Sequence, residues 1–123
     1  MPIDVKLIQD DQIVLQTWRE PVDAEQMNRL KELMHNVILP AAPDKLHIIA
    51  DFCQVEYLPS VLVRNGVRML NNAHPNTGMI LFVTQDAAFM TLANILMRLL
   101  PRCSLRIVPS VEEALAIAGS LLK

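Results

Sequence analysis

Glycine, aromatic rings and surplus positive charge are all scarce in this sequence. It holds three glycines, one tryptophan, one tyrosine and three phenylalanines among 123 residues, and its net charge at pH 7 is −2. A nucleic-acid surface needs basic side chains for the phosphates and aromatic rings for the bases. These shortages argue against nucleic acid as a partner, and the few glycines form no phosphate-binding loop.

Cysteine is also rare, since Cys53 and Cys103 are the only two. Their wide separation fits neither a disulfide framework nor a zinc site, and Cys53 is expected to be a small buried thiol after an apolar strand. No apolar run reaches the roughly 18 residues that a membrane span needs. The first residues lack the basic start and apolar core of a signal peptide. We therefore expect a protein of the reducing cytoplasm.

No arrangement of residues typical of an enzyme is found in the sequence. His35, His47 and His74 do not have the spacing of metal ligands, and no nucleophile motif is present. His47 lies in an otherwise apolar strand, where a structural histidine is more common than a general base. The sequence therefore predicts a protein without enzymatic activity, metal or cofactor.

Apolar residues, by contrast, are plentiful enough for a packed core. They make up 52% of the chain, with 20% charged residues, which is a globular composition. We expect a single domain over residues 1–123.

The chain begins with two predicted strands, over 4–9 and 12–18. The polar junction between them is so short that only an antiparallel hairpin can join them. Apolar residues at helical spacing then predict a helix over 23–39 with Asp23 as its N-cap, and the segment Pro40-Ala41-Ala42-Pro43 is expected to end it.

Strands and helices alternate through the rest of the chain. The further predicted elements are a strand over 46–52, a helix over 60–72, a strand over 79–84, a helix over 86–100, a strand over 104–108 and a last helix that Ser110 caps. Successive β–α–β units require right-handed crossovers and parallel strands. The expected fold class is α/β in the order ββαβαβαβα, a mixed five-stranded sheet with an antiparallel N-terminal hairpin, other strands parallel, and four helices.

A response-regulator receiver shares this alternation of strands and helices. It needs an acidic pair around Mg²⁺, an aspartate at a strand end and a lysine after the last strand. Asp10, Asp11 and Asp51 suggest such a set. However, a strand and not a helix follows Asp11, and no lysine follows the last strand, so connectivity excludes this alternative.

Residues 48–60 carry the most specific pattern in the sequence. An apolar strand leads through Asp51, Val55 and Tyr57 to Ser60 at the start of the predicted second helix. With the order of elements, this segment resembles the STAS domain, the SpoIIAA-like fold of bacterial anti-sigma-factor antagonists and sulfate-transporter tails. The resemblance implies a strand-end aspartate, two buried loop positions and a phosphoacceptor serine at these residues.

Two interpretations of Ser60 stay open. The resemblance implies a phosphoserine at a helix N-terminus, where free N–H groups and the helix dipole stabilise negative charge. Serine is also a preferred N-cap, so a purely structural role is the alternative. The sequence departs from the family around it: Pro59 replaces the preceding aspartate, and Val61 and Leu62 replace small residues. These changes alter the surface that a kinase would contact.

The resemblance implies a regulatory module that binds another protein, for which an anti-sigma-like kinase is one candidate. We expect the binding surface where the third strand leads into the second helix. The candidate contacts are Asp51, Tyr57, Arg64 and Arg68. The two arginines lie one turn apart and suit an acidic partner, although such a face is often simply solvated.

The predicted helix 86–100 is apolar over more than the face that a sheet covers. Met90, Ile95 and Met97 are its candidate interface residues. Three explanations stay open: burial within the domain, a homodimer interface, and a site for a small apolar or lipid-like ligand. The last gives the alternative function, a carrier or sensor of such a ligand.

Overall fold

The first two strands form the antiparallel hairpin that their spacing predicts. The computed structural model describes residues 3–20, 22–56, 65, 68, 74–100 and 104–122. Strand β1 spans Ile3–Ile8 and strand β2 spans Ile13–Arg19. Gln9, Asp10 and Asp11 in the turn all have positive φ, between 52° and 61°, a region that aspartate tolerates better than most residues.

The helical connection from β2 to the next strand is longer than predicted. Its parts are helix α1 (Ala24–Leu33), a π-helical turn (Met34–Ile38) and the short helix α2 (Leu39–Ala41). Asp23 caps α1 as predicted, since its Oδ1 accepts a hydrogen bond from the Gln26 N–H at 2.9 Å. The last helical residue is Ala41, so the helix ends within the segment Pro40-Ala41-Ala42-Pro43 that was predicted to end it, two residues beyond the predicted position 39. A π turn widens the backbone directly before Pro40, which relieves the clash of a proline ring with the carbonyl one turn earlier.

The later elements lie close to their predicted positions. They are β3 (Leu46–Gln54), β4 (Thr77–Val83), α3 (Ala87–Leu99), β5 (Leu105–Val108) and α4 (Val111–Ser120). Ser110 caps α4 as predicted, because its Oγ accepts from the Glu113 N–H at 3.2 Å. The predicted helix 60–72 lies outside the described residues except for Asn65 and Arg68, which are both helical.

The five strands form one sheet in the order β1-β2-β3-β4-β5. The pair β1–β2 is antiparallel and the pairs from β2 to β5 are parallel, so the expected mixed α/β sheet is confirmed. We call the end where the parallel strands begin the amino end, and the end where they finish the carboxyl end. Asp10 and Asp11 lie at the amino end and Asp51 towards the carboxyl end, so the chain does not assemble a receiver site.

Two apolar cores cover the two faces of the sheet. On the face that we call the aromatic face, α1, α2 and α3 pack over large side chains, and Phe52 contacts Trp18, Phe82 and Phe89 at ring-centre distances of 5.0 to 5.4 Å. On the opposite face, α4 packs through small residues, Ala114 and Ala118, over aliphatic strand residues. Small helix residues allow a close approach, whereas rings and methionines must interdigitate to fill their space.

Candidate functional site

A bulge near the carboxyl end of β3 decides which side chains face outward. The two strands are in register as far as Asp51, but Arg19 of β2 then pairs with Gln54, so β3 has one extra residue. An extra residue breaks the alternation of side chains between the two faces. Phe52 stays in the core, whereas Cys53 and Gln54 are both exposed. Gln54 therefore lies at the surface, although regular alternation from the buried Phe52 would have placed it in the core.

Arg19 joins three strands at this end of the sheet. Its guanidinium pairs with Asp4 of β1, and its Nε donates a hydrogen bond to Gln54 Oε1 of β3 at 3.0 Å. The hydrogen bond from Arg19 lowers the pKa of Asp4 below its usual value. Sequence reasoning missed Arg19, which directly follows the predicted second strand, 12–18. The contact holds the exposed surface in one arrangement.

Asp51 organises the bulge from within. Its Oδ1 accepts a hydrogen bond from the backbone N–H of Cys53 at 3.0 Å. The expectation that Cys53 is buried is wrong, because the strand continues through it and the bulge turns its side chain outward. Partial desolvation, the hydrogen bond to Asp51 and the charge of Asp51 raise the pKa of the Cys53 thiol to about 11. The thiol is therefore protonated at neutral pH and a poor nucleophile.

The segment after β3 is anchored from both sides. Val55 is only 5% exposed, which confirms the buried loop position that the resemblance implies, and its N–H donates to the Phe52 carbonyl at 3.0 Å. The Glu56 N–H donates to Glu20 Oε1 at 2.8 Å, which ties this segment to the end of β2. The exposed residues between these anchors are thus held on a fixed backbone.

Of the other predicted contact residues, Arg68 is among the residues that the structure describes. Tyr57, Ser60 and Arg64 lie outside the described residues, and their roles stay predictions. Arg68 is described, and it is helical and exposed. The structure therefore brings Asp51 into the candidate site with Arg19, a residue that sequence reasoning did not single out.

His47 is a structural group at the amino end. Its Nδ1 accepts a hydrogen bond from the backbone N–H of Met79 at 3.1 Å, and the backbone N–H of His47 donates to the Gln12 carbonyl at 3.3 Å. Burial lowers the pKa of His47 despite the opposing charge of Asp44. A neutral imidazole is required, because only an unprotonated nitrogen can accept the bond from Met79.

The candidate interface residues of α3 do not share one face. Ile95 is 47% exposed and Leu99, one turn later, is 61% exposed. Met90 and Met97 are half-buried, and Met97 packs against the core of the aromatic face. At about 100° per residue, Ile95 and Met97 point in nearly opposite directions around the helix. The outward apolar surface of α3 therefore consists of Ile95 and Leu99.

A cavity of about 110 Å³ lies between the aromatic face and the helices α1 and α3. Its walls are mostly apolar, and the buried polar residue among them is Gln16, which is 6% exposed. Sequence reasoning missed Gln16, although a polar residue between the inward positions Val14 and Trp18 was a signal.

The described residues hold neither a metal-binding cluster nor a membrane-spanning helix. Within them, no three histidine, cysteine or acidic side chains come together in a way that could hold a metal ion. None of the helices in the described part of the chain combines the length and apolar character that a membrane crossing needs.

Comparison with solved structures shows the fold. The chain is similar to the NMR structure of the protein TM1081, with a TM-score of 0.67 and 16% identity over 94% of this chain and 86% of that chain. It is also similar to the crystal structure of an anti-sigma factor antagonist from Mycobacterium paratuberculosis, with a TM-score of 0.60 and 16% identity over 95% and 94% of the two chains. No protein-family model matches, and neither does any curated protein. The chain therefore has the STAS-like, or SpoIIAA-like, fold.

Proposed function

We propose that this chain is a regulatory module that acts by binding another protein and not by catalysis. One of the similar structures is an anti-sigma factor antagonist by name, a name that points to action on a protein. The chain covers nearly the whole of that structure with the same fold. We propose that the same kind of partner, a protein of the anti-sigma type, binds here.

The observation that supports a surface for this partner is the bulge at the carboxyl end of β3. It exposes Cys53 and Gln54 while the buried Phe52 and Val55 hold the backbone on either side. A surface that is already ordered before binding loses less conformational entropy when a partner docks. We therefore propose that the partner contacts residues 51–56 and the neighbouring Arg19.

The phosphoswitch at Ser60 is a separate part of the proposal. A phosphate on Ser60 would add about two negative charges four residues along the chain from Glu56. Under this hypothesis, Ser60→Asp abolishes partner binding while Ser60→Ala preserves it. Equal binding by both variants would leave Ser60 with the N-cap role alone.

Chemical-shift mapping tests the proposed surface. The tagged full chain is used to isolate a partner from its own host, and the purified partner is then titrated into the ¹⁵N-labelled chain. We expect the largest shifts at Arg19, at residues 51–56 and at Arg68. Largest shifts at α4 or at the β1–β2 turn would place the interface elsewhere and contradict the proposal.

A homodimer through α3 stays a prediction, and the structure narrows it. The surface to test is Ile95 with Leu99, because Met90 and Met97 are half-buried. Ile95→Glu should shift the solution mass from dimer to monomer. If the wild-type chain has the solution mass of a monomer, the dimer is ruled out.

A further inference from the structure

Strand β1 forms one edge of the sheet. It lies at the end of the strand order, and among the described residues it pairs with β2 alone. An edge strand carries a row of backbone N–H and C=O groups on its open side, which is a template for pairing with a further strand. Lys6 and Leu7 of β1 are both exposed, and the exposed fraction of Leu7 is 43%. The second half of β1 is therefore open to contact.

The side chains of β1 alternate between the two faces of the sheet. Ile3 and Val5 pack in the core of the aromatic face, so Leu7 lies on that side as well. Asp4 and Lys6 lie on the opposite face, which is the face that α4 covers. One side of this edge is thus apolar, and the other carries one acid and one base two residues apart.

We propose that β1 pairs with β1 of a second copy of this chain, antiparallel and centred on Val5, and so joins two five-stranded sheets into one. In this register Asp4 lies opposite the second copy's Lys6, and the two-fold axis repeats that pair on the other side of Val5. Leu7 lies opposite the second copy's Ile3 in the same way. Opposite charges and apolar groups at facing positions stabilise a sheet. The proposal does not depend on the partner surface at the carboxyl end of β3, and either can fail alone.

The charges select this register over its neighbours. Facing side chains of a symmetric antiparallel pair lie on the same face, so the register can shift only in steps of two residues. A shift in one direction centres the pair on Asp4 and places its carboxylate against that of the second copy. A shift in the other direction does the same with the two Lys6 ammonium groups. Like charges at facing positions destabilise a sheet, which leaves the register centred on Val5.

The ion pair within each chain is compatible with this arrangement. Asp4 Oδ2 accepts from Arg19 of the same chain, and a carboxylate can accept from several donors at once, so Oδ1 can meet the second copy's Lys6. Asp4 is also 45% exposed, which leaves it accessible. A lysine on an edge strand usually opposes pairing with foreign strands. Here it favours a strand that places an acid opposite it, as a second copy does.

The contact is small, and the dimer is therefore expected to be weak. Strand β1 has six residues, against roughly 20–30 residues a side in a stable interface. We expect a dissociation constant of roughly 10 µM to 1 mM. Sedimentation equilibrium of the full chain across that range should show a reversible equilibrium of monomer and dimer. A chain that stays monomeric up to about 1 mM would overturn the proposal.

Two charge variants test the facing pairs. Lys6→Asp places acid opposite acid and Asp4→Lys places base opposite base, so each variant alone should dimerise at least about tenfold more weakly than the wild type. Mixing the two variants restores an acid opposite a base at both positions, and a heterodimer of nearly wild-type affinity is expected. A mixture that associates no more tightly than the separate variants would contradict the register. Because Asp4→Lys also loses the pair with Arg19, unfolding midpoints must show that both variants fold.

Lys31→Asp is the matched control for charge. Lys31 is exposed on α1 and lines the cavity between α1 and α3, away from β1. Its replacement changes the net charge as Lys6→Asp does, but it should change the dimer affinity by less than about twofold. Ile95→Glu separates this dimer from the one predicted through α3. A dimer lost with Ile95→Glu but kept with Lys6→Asp would overturn the pairing of β1.

A cysteine at the centre of the strand measures the register directly. In a Cys53→Ser and Cys103→Ser background, Val5→Cys brings two thiols to facing positions, with Cα atoms about 4.5–5.5 Å apart and within reach of a disulfide. Leu7→Cys is the control, because its two thiols would lie four positions apart along the strands, beyond the roughly 7 Å limit. Oxidation should link Val5→Cys dimers and not Leu7→Cys dimers. Equal linking of both, or of neither, would contradict the proposal, and neither is linked if β1 binds only foreign strands.

Discussion

The two ends of the sheet use their polar groups in different ways. At the amino end, His47 is half-buried and bonded to the strands on both sides, with Gly78 packed against it. At the carboxyl end, the pair of Arg19 and Asp4 is 42% and 45% exposed, and the bulge turns Gln54 to solvent. The amino end is thus held by packing, whereas the carboxyl end presents ordered polar groups for contact.

The largest expected effect is a loss of stability at the amino end. A Cβ added to Gly78 would lie 2.6 Å from His47 Nδ1 and 3.0 Å from the Leu46 carbonyl oxygen. Because His47 is held by Met79, it cannot move freely aside, and Gly78→Ala should lower the free energy of unfolding by about 2 kcal/mol. Urea denaturation measures this change.

Gly119 supplies the control for that substitution. A Cβ there meets nothing within 4 Å, and the residue lies in the last turn of α4. Gly119→Ala should leave the free energy of unfolding unchanged or raise it by less than about 1 kcal/mol. Equal effects of the two substitutions would show that the amino end is not tightly packed around His47.

The order of elements was predictable because it depends on local patterns. Apolar periodicity and the caps Asp23 and Ser110 act within a few residues, so the sequence contains them directly. The exact end of the first helix was not predictable, because the π turn before Pro40 lets the backbone stay helical to Ala41, two residues past the predicted end.

The candidate site was only partly predictable. Asp51 and Val55 follow from the resemblance, but the exposure of Cys53 depends on a bulge that no local pattern marks. Arg19 gains its role from Asp4 and Gln54, neighbours on other strands. Such roles arise from the packing of distant segments, which a single sequence does not display.

A smaller effect is expected at the carboxyl end, in the pKa of the Cys53 thiol. Asp51 contributes to the raised pKa of Cys53, which is about 11 against an ordinary 9.0. Asp51→Asn should lower that pKa towards 9.0, although not fully, because partial desolvation is the larger cause. The pH dependence of thiol alkylation, measured with Cys103→Ser as background, gives the value. An unchanged pKa would mean that Asp51 does not face the thiol.

The smallest expected effect is a pH dependence at the amino end. Burial lowers the pKa of His47 in the folded chain below its ordinary value of 6.5. Between the lowered folded pKa and 6.5, the unfolded chain therefore binds more protons than the folded chain. The free energy of unfolding should therefore rise with pH through this window and fall on acidification. His47→Gln keeps an acceptor for Met79 but does not titrate. Denaturation at several pH values should show a shallower slope for it, and an identical slope would exclude His47 as a source.

The most direct test of the account compares one charge reversal at each end. Glu56 and Asp44 are both exposed acidic residues, at the carboxyl and amino ends, and replacing either with lysine changes the net charge equally. We predict that Glu56→Lys changes the affinity for the isolated protein partner by about tenfold or more, while Asp44→Lys changes it by less than about twofold. Isothermal titration of the two variants measures both affinities. Equal losses, or a larger loss for Asp44→Lys, would contradict a binding surface at the carboxyl end.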